Sequence, residues 1–386
     1  MWTWVLFYRS CGKLLTSTKM DSLLLSSSPV NSTKGIATTS SLLHDASDQP
    51  CQLIVSSWYI SNAIPIIYSI IFVLGFIENS VVIAVLCHRT HLKTAANIYI
   101  INLSIADLLL LSTLPLWAVY YATGYNWHFG TVMCKISSSL ISLNLYASAF
   151  FIICMSIDCY MTILHPIDSQ TKRSQCEAYC VMILVWTVAL FATLPTVYFQ
   201  GLLYNKSLES TMCTMVYPPS DANHWSAALS LTENTLAFFI PLTVVGACYG
   251  GFACHLMRMD VPEKNKCGRN KVLWMVIAVA LAFFICWLLF QLLTFMNALV
   301  KLNIITGCQT STIIGTAMPF SICLGFVNSC INPFIYCFLG DHFQTQLTDM
   351  ARRGSMSLYT QRGSTTRIAH SSSKNSSADI IEPNHL

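Results

Sequence analysis

Five polar side chains stand inside long apolar runs of this 386-residue chain: Asp107, Asn79, Asn144, Asn328 and Asn332. An ionisable side chain within a bilayer costs about 2.5–3.5 kcal/mol on insertion scales, so Asp107 marks function before any fold is assigned. Two kinds of chemistry suit the set. It can form a hydrated core that holds a cation, sodium being the expected ion, or a network whose hydrogen bonds change partners as helices move. The plain alternative is a static interhelical network worth about 0.6 kcal/mol per contact. Catalysis is not indicated. The 10 histidines are scattered, and none forms a metal-ligand cluster or pairs with a plausible nucleophile.

The 17 cysteines are an odd number and cannot all pair within one chain. Many lie in apolar runs, where a thiol behaves as a small hydrophobe. Two pairs stand apart from these. Cys134 opens the third apolar run and Cys213 lies in the long segment after the fourth, while Cys51 precedes the first run and Cys308 the seventh. Bridges there would pin loops across one mouth of a helix bundle, on the oxidising side where such bonds persist. Free thiols are the alternative for each pair.

These side chains need elements to hold them. Hydrophobic residues make up 54% of the chain and charged residues 10%, where a soluble domain carries about a quarter charged. An ordinary soluble enzyme is thereby excluded, and a net charge of +4 is too small to make nucleic acid the main partner. Seven apolar stretches reach the length a bilayer demands: Asn62–Cys87, Asn97–Tyr121, Thr131–Tyr160, Glu177–Phe199, Ala227–Cys254, Lys271–Leu299 and Ser311–Phe338. Helices are the expected spanning form, because open strands leave backbone groups unpaired in lipid. The third and fifth runs are the weakest, interrupted by Asn144, Asp158 and Glu233. Pro115, Pro195, Pro241, Pro319 and Pro333 each remove a helix hydrogen bond and supply flexure. The fold expected is an all-α, seven-helix membrane bundle with a short cytoplasmic amphipathic helix.

Charge orients it. The connections after runs one, three and five hold 8 Lys and Arg residues, and those after two, four and six hold 2. An excess of basic residues marks the cytoplasmic side, which puts the N-terminus outside and the C-terminus inside. Four regions follow: a polar, glycosylated and disordered N-terminal segment at 1–61, the bundle at 62–338, an amphipathic stretch at 339–350 and a Ser/Thr-rich cytoplasmic tail at 351–386. Asn31 and Asn205 open glycosylation sequons on the outer side. In the first 19 residues the basic residue follows the apolar ones, the reverse of a signal peptide, which leaves Met1 and Met20 both open as starts. Phe343 and Leu347 share one face of the amphipathic stretch, suited to lying on membrane lipid.

Taken together, Asn79, Leu103-Ser104-Ile105-Ala106-Asp107, Trp127 with Phe129-Gly130, Cys134, Asp158 with Tyr160, Trp186, Pro241, Cys286-Trp287 and Asn332–Tyr336 resemble rhodopsin-like G-protein-coupled receptors in order and span position. Within that class the chain is similar to angiotensin II receptors, through Tyr68–Val81, Leu114–Tyr120 and Asn144–Ser148. Tyr217-Pro218-Pro219, Trp225-Ser226-Ala227 and Leu324–Phe338 look nearer the type 2 subtype. The resemblance implies both disulfides and a peptide ligand lined by Tyr68, Trp117, Tyr121 and Met318, with Trp287 at the floor. Aromatics near span ends also form interfacial belts, which is the bland reading of the same residues. It further implies a switch built from Asp158, the next two residues, Trp287, Pro333 and Tyr336, with a heterotrimeric G protein and arrestin as cytoplasmic partners.

The departures bear on function. Asp158-Cys159-Tyr160 lacks the arginine that the class carries between aspartate and tyrosine, so coupling is expected to be weak. Cys286-Trp287-Leu288-Leu289 lacks the class's proline. Where angiotensin receptors hold their peptide with arginine, lysine and aspartate, this chain has Gln200, Glu233 and Asn297. Two rival functions remain at this stage: a non-signalling, scavenging peptide receptor, and a channel or transporter lined by Asp107 and Glu233. The lack of an inverted repeat speaks against the second.

Overall fold

The computed structural model describes residues 57–88, 95–164, 175–206, 209–258 and 266–340, and beyond these 343–345, 347, 348 and 352. Asn31, Cys51 and the tail beyond 352 lie outside the described residues, as does any test of the Cys51–Cys308 pair. Seven described helical stretches are long and apolar enough to cross a membrane: Ser61–Cys87, Ala95–Ala122, Gly130–Thr162, Cys176–Phe199, Ala222–Cys254, Val272–Lys301 and Gln309–Leu339. We number them span one to span seven. Each matches an expected apolar run, although span five begins at Ala222 rather than Ala227.

The spans close into a ring. Span one packs on two and seven, six lies along five and seven, and span three touches two, four, five and six. Span three is accordingly the pillar of the bundle, with Leu145, Ala147, Phe151 and Met155 buried in one core with Tyr99, Leu103, Phe283, Trp287 and Tyr336. Span four sits at the rim and shows Ile183, Leu190, Phe191 and Leu194 to the outside. Such apolar exposure suits a lipid solvent and would be a liability in water.

Proline shapes the spans in different ways. Span two breaks into Ala95–Leu111 and Leu114–Ala122, because Pro115 offers no N–H to the carbonyl four residues back. Ser112 Oγ and Thr113 Oγ1 donate to the carbonyls of Leu109 and Leu110, each at 2.7 Å, and so satisfy part of the broken turn. Span five widens instead. Thr235–Phe239 forms a π-helical turn, with Ile240 N–H donating to Thr235 C=O, immediately before Pro241. Pro195, Pro319 and Pro333 lie inside helices that continue past them.

One described element departs from the all-helical expectation. β1 (Gln200–Asn205) pairs antiparallel with β2 (Ser210–Met215), Leu202 opposite Cys213. Beyond the apolar layer the backbone needs partners other than a helix. Leu203, Tyr204, Thr211 and Thr214 suit a strand better than a short helix. The hairpin is tied down on two sides. Trp127 N–H donates to Thr211 C=O at 2.7 Å, and Thr211 N–H donates to Asn126 Oδ1 at 3.1 Å. Lys135, at the start of span three, donates to the carbonyls of Val197 and Tyr198 at 2.7 and 3.1 Å. Those last-turn carbonyls of span four have no donor of their own helix, and a cation suits that end. At the opposite end of the bundle, Phe343 and Leu347 pack back onto the core after Gly340, as their shared face suggests.

Candidate functional site

Beneath the hairpin an aromatic wall joins spans one, two and seven. Tyr68 meets Tyr121 and Phe326 edge-on, with ring centroids 5.8 and 5.2 Å apart. Trp117 lies 5.6 Å from Tyr120 and 5.2 Å from Trp127. Tyr125 closes the group at 5.3 Å from Tyr121, its hydroxyl pushed above the usual range by burial. Edge-to-face geometry of this kind holds the rings in fixed orientations. Trp287 lies deeper, buried against Phe283 and Phe290. Its ring rests on Gly325 of span seven, where any added Cβ would come within 2.7 Å of it. Only glycine leaves room for that indole.

The Cys134–Cys213 disulfide is formed and binds β2 to the top of span three. Gln200 does not reach far from it. Its buried amide Nε2 donates toward Cys213 Sγ at 3.3 Å and Cys134 Sγ at 3.7 Å. Glu233 is half-buried on span five, and its charge acts on the hydroxyls of Tyr146 in span three and Tyr217 beyond β2. Burial pushes the Tyr217 hydroxyl up, a hydrogen bond from Ser226 partly offsets that, and the Glu233 charge adds to it. Asn297 is half-buried near the outer end of span six. Met318 is half-buried on span seven, where Ser321 Oγ donates to its carbonyl at 2.7 Å.

The polar core lies at mid-bundle. Asp107 is fully buried, and its carboxylate accepts from Asn144 Nδ2 at 3.0 Å, Ser329 Oγ at 2.7 Å and Asn332 Nδ2 at 3.1 Å. Spans two, three and seven are thereby held at one point. Asn79 extends the link to span one, donating to Ser329 C=O at 2.8 Å and Gly75 C=O at 2.9 Å. The amide oxygens of Asn144, Asn328 and Asn332 and the Ser148 hydroxyl are buried without partners among the described residues. Carboxylate and amide oxygens are the kind of ligand that a hard cation takes. A groove of about 510 Å³ between spans three and four opens to the outside of the bundle and holds none of these residues.

Residues 78–336 match the family described as 7 transmembrane receptor (rhodopsin family). The chain belongs to that family. The receptor is 46% identical to the type-2 angiotensin II receptor of Homo sapiens over 291 residues, which cover 75% of this chain and 80% of that one. Against the type-2 receptor of Rattus norvegicus the identity is 47% over the same share. With the type-1 angiotensin II receptor of Gallus gallus it is 36% over 311 residues, 81% of this chain and 86% of the relative. Similarity is thus higher to type 2 than to type 1 among these.

At the end of the receptor away from the hairpin, Cys159 is buried against Leu273 of span six, with Tyr249, Phe252 and Ile277 around them. Tyr249 and Ser156 share a hydrogen bond of 3.2 Å between spans five and three. Tyr160 packs on Gly251, whose Cβ position would lie 3.0 Å from its ring. Tyr336 and Pro333 are buried, and the Tyr336 hydroxyl has no hydrogen-bond partner among the described residues. The contact between spans three and six is therefore apolar where the family's arginine would make it polar.

Three residues escaped the sequence reading. Ser329 stands three residues before Asn332 and Gln291 four after Trp287, so both share a helical face with residues already singled out. Gly325 gave no such signal, because a glycine's role as a seat for an indole depends on the neighbouring span.

Proposed function

We propose that the receptor lies in the plasma membrane with its hairpin outside, binds a peptide of the angiotensin II kind there, and signals to a heterotrimeric G protein. The 46% identity to type-2 angiotensin II receptors over three quarters of the chain carries this reading. The aromatic wall and the buried Trp287 on the hairpin side are consistent with it, and the basic connections support the orientation. Ligand contact reaches Trp287, shifts span six on its apolar contact with Cys159, and opens the tail end to the G protein and then to arrestin. Such a population shift needs only a few kcal/mol of differential binding. A sodium ion at Asp107, held by the free asparagine oxygens, would favour one of the two arrangements. Asn31 and Asn205 carry glycans on the outer side, and the Phe343–Leu347 stretch meets lipid inside.

Relatives of this kind favour signalling over silent uptake. Coupling is nevertheless reduced, because Cys159 offers a G protein no cation. The test is labelled angiotensin II binding and agonist-driven GTPγS uptake in membranes of expressing cells, beside the human type-2 receptor. Specific binding is expected, with modest uptake that rises in Cys159→Arg. Absence of binding from surface-expressed receptor would overturn the ligand, and full uptake by the native chain would overturn the reduced coupling.

A further inference from the structure

Gln291 is an amide with nothing to hold. It is 2% exposed on span six, and neither Nε2 nor Oε1 has a hydrogen-bond partner among the described residues. It lies one helical turn from Trp287, whose Nε1 is also buried without a partner. Buried amides left unpaired are destabilising, so a group from outside the chain is the natural complement.

The neighbouring span carries an acid. Asn234 Nδ2 donates to Thr294 Oγ1 at 3.1 Å and joins span five to span six at this level. Glu233 is the residue before Asn234 on span five, and Gln291 stands one turn before Thr294 on span six, which places both within a turn of this contact. No cationic side chain among the described residues acts on the Glu233 carboxylate. Lys135 is occupied by the carbonyls that end span four, and Lys206 and Lys301 stand on the hairpin and at the end of span six. A carboxylate within a membrane span is costly without a counter-charge, and no cation among the described residues supplies one.

We propose that this junction binds a cationic group of the ligand, an ammonium or guanidinium, with Glu233 as counter-ion and Gln291 as its hydrogen-bonding neighbour. The inference rests on the reading that the bundle receives its ligand from the hairpin side, and it names the charge of the ligand group that enters deepest. The chemistry agrees on each side. The carboxylate and the Gln291 Oε1 are acceptors, and an ammonium is a donor only. The rings of Trp287 and Phe290 add faces that attract a cation. A ligand carboxylate would meet repulsion from Glu233, and a neutral group would leave the charge uncompensated.

The test uses the full-length receptor in lipid nanodiscs, with thermal melting read against three probes of equal length. These are 3-phenylpropylammonium, 3-phenylpropanoate and neutral 3-phenylpropanol. The ammonium should raise the melting temperature of the native chain, the propanoate should not, and Glu233→Gln should abolish the shift. Glu233→Lys should transfer the response to the propanoate. Equal shifts from ammonium and propanoate, no shift from the ammonium, or a shift that survives Glu233→Gln would overturn the proposal. Should the variants not fold, native membranes carry the test alone, with angiotensin II compared with its C-terminal 2-aminoethyl amide. The cationic peptide should bind about tenfold or more tightly than the free acid. Peptides that bind without regard to that charge overturn this inference and leave the peptide reading intact. An ammonium shift on a receptor that binds neither peptide supports it and overturns the peptide reading.

Discussion

At mid-bundle the Asp107 carboxylate takes three side-chain donors from two other spans, while nearer the hairpin Glu233 takes none among the described residues. Both lie in helices that cross the membrane, where a charge needs partners. The first cluster closes on itself, and its hydrogen bonds tie spans two, three and seven. The second is left open, and within a turn of the span five–six contact beside it stands an amide unpaired among the described residues. A closed polar group reports on how the bundle is held together, and an open one on what the bundle is waiting to hold.

Removing the closed carboxylate should have the largest effect. Asp107→Ala strands the donors of Asn144, Ser329 and Asn332, and a loss of about 3–5 kcal/mol is expected. Melting of the solubilised receptor and its surface expression read this directly; a native-like melting curve would erase the contrast. Next comes the roof over the open carboxylate. Cys134→Ser frees β2 from span three, at about 2–4 kcal/mol. Peptide binding should be lost while a spin-label distance between spans two and seven near Asp107 stays put. Concerted change at both places would show that the two regions are one unit. The smallest stability effect belongs to Glu233→Gln. Neutralising a charge that has no partner should leave the melting temperature of the ligand-free receptor unchanged or raise it, within about 0.5 kcal/mol. A loss as large as that of Asp107→Ala would mean that Glu233 is also part of the scaffold.

The spans and the Asp107 cluster were legible because a charge or amide in an apolar run stands out by composition alone. Seven runs and their order followed from length, and the shift of span five to Ala222 from the polar composition of its first turn. The hairpin was not legible. Its strands are short, Gln200–Asn205 and Ser210–Met215, and their pairing depends on a disulfide and on Asn126 rather than on alternation. The same cause governs Gln200. Residue type and position suggested a ligand contact, but the amide is turned onto the disulfide sulfurs by a strand direction that no local pattern announces. Gln291 lay in plain view as an amide in span six. What hid it was that a buried amide is ordinarily paired, and only three-dimensional packing reveals that this one is not.

The wide turn at Thr235–Phe239 absorbs one residue more than an ordinary helix of the same height. A residue advances an α-helix by about 100°. Were span five wound uniformly, Glu233 would point about a quarter-turn away from Tyr146, even with every side chain unchanged. A codon dropped from within the wide turn would therefore leave both halves of the span facing as they do now. The same loss on either side of that turn would rotate parts of the span relative to each other by about 100°. That short segment is where span five can lose a residue without turning Glu233 away from Tyr146.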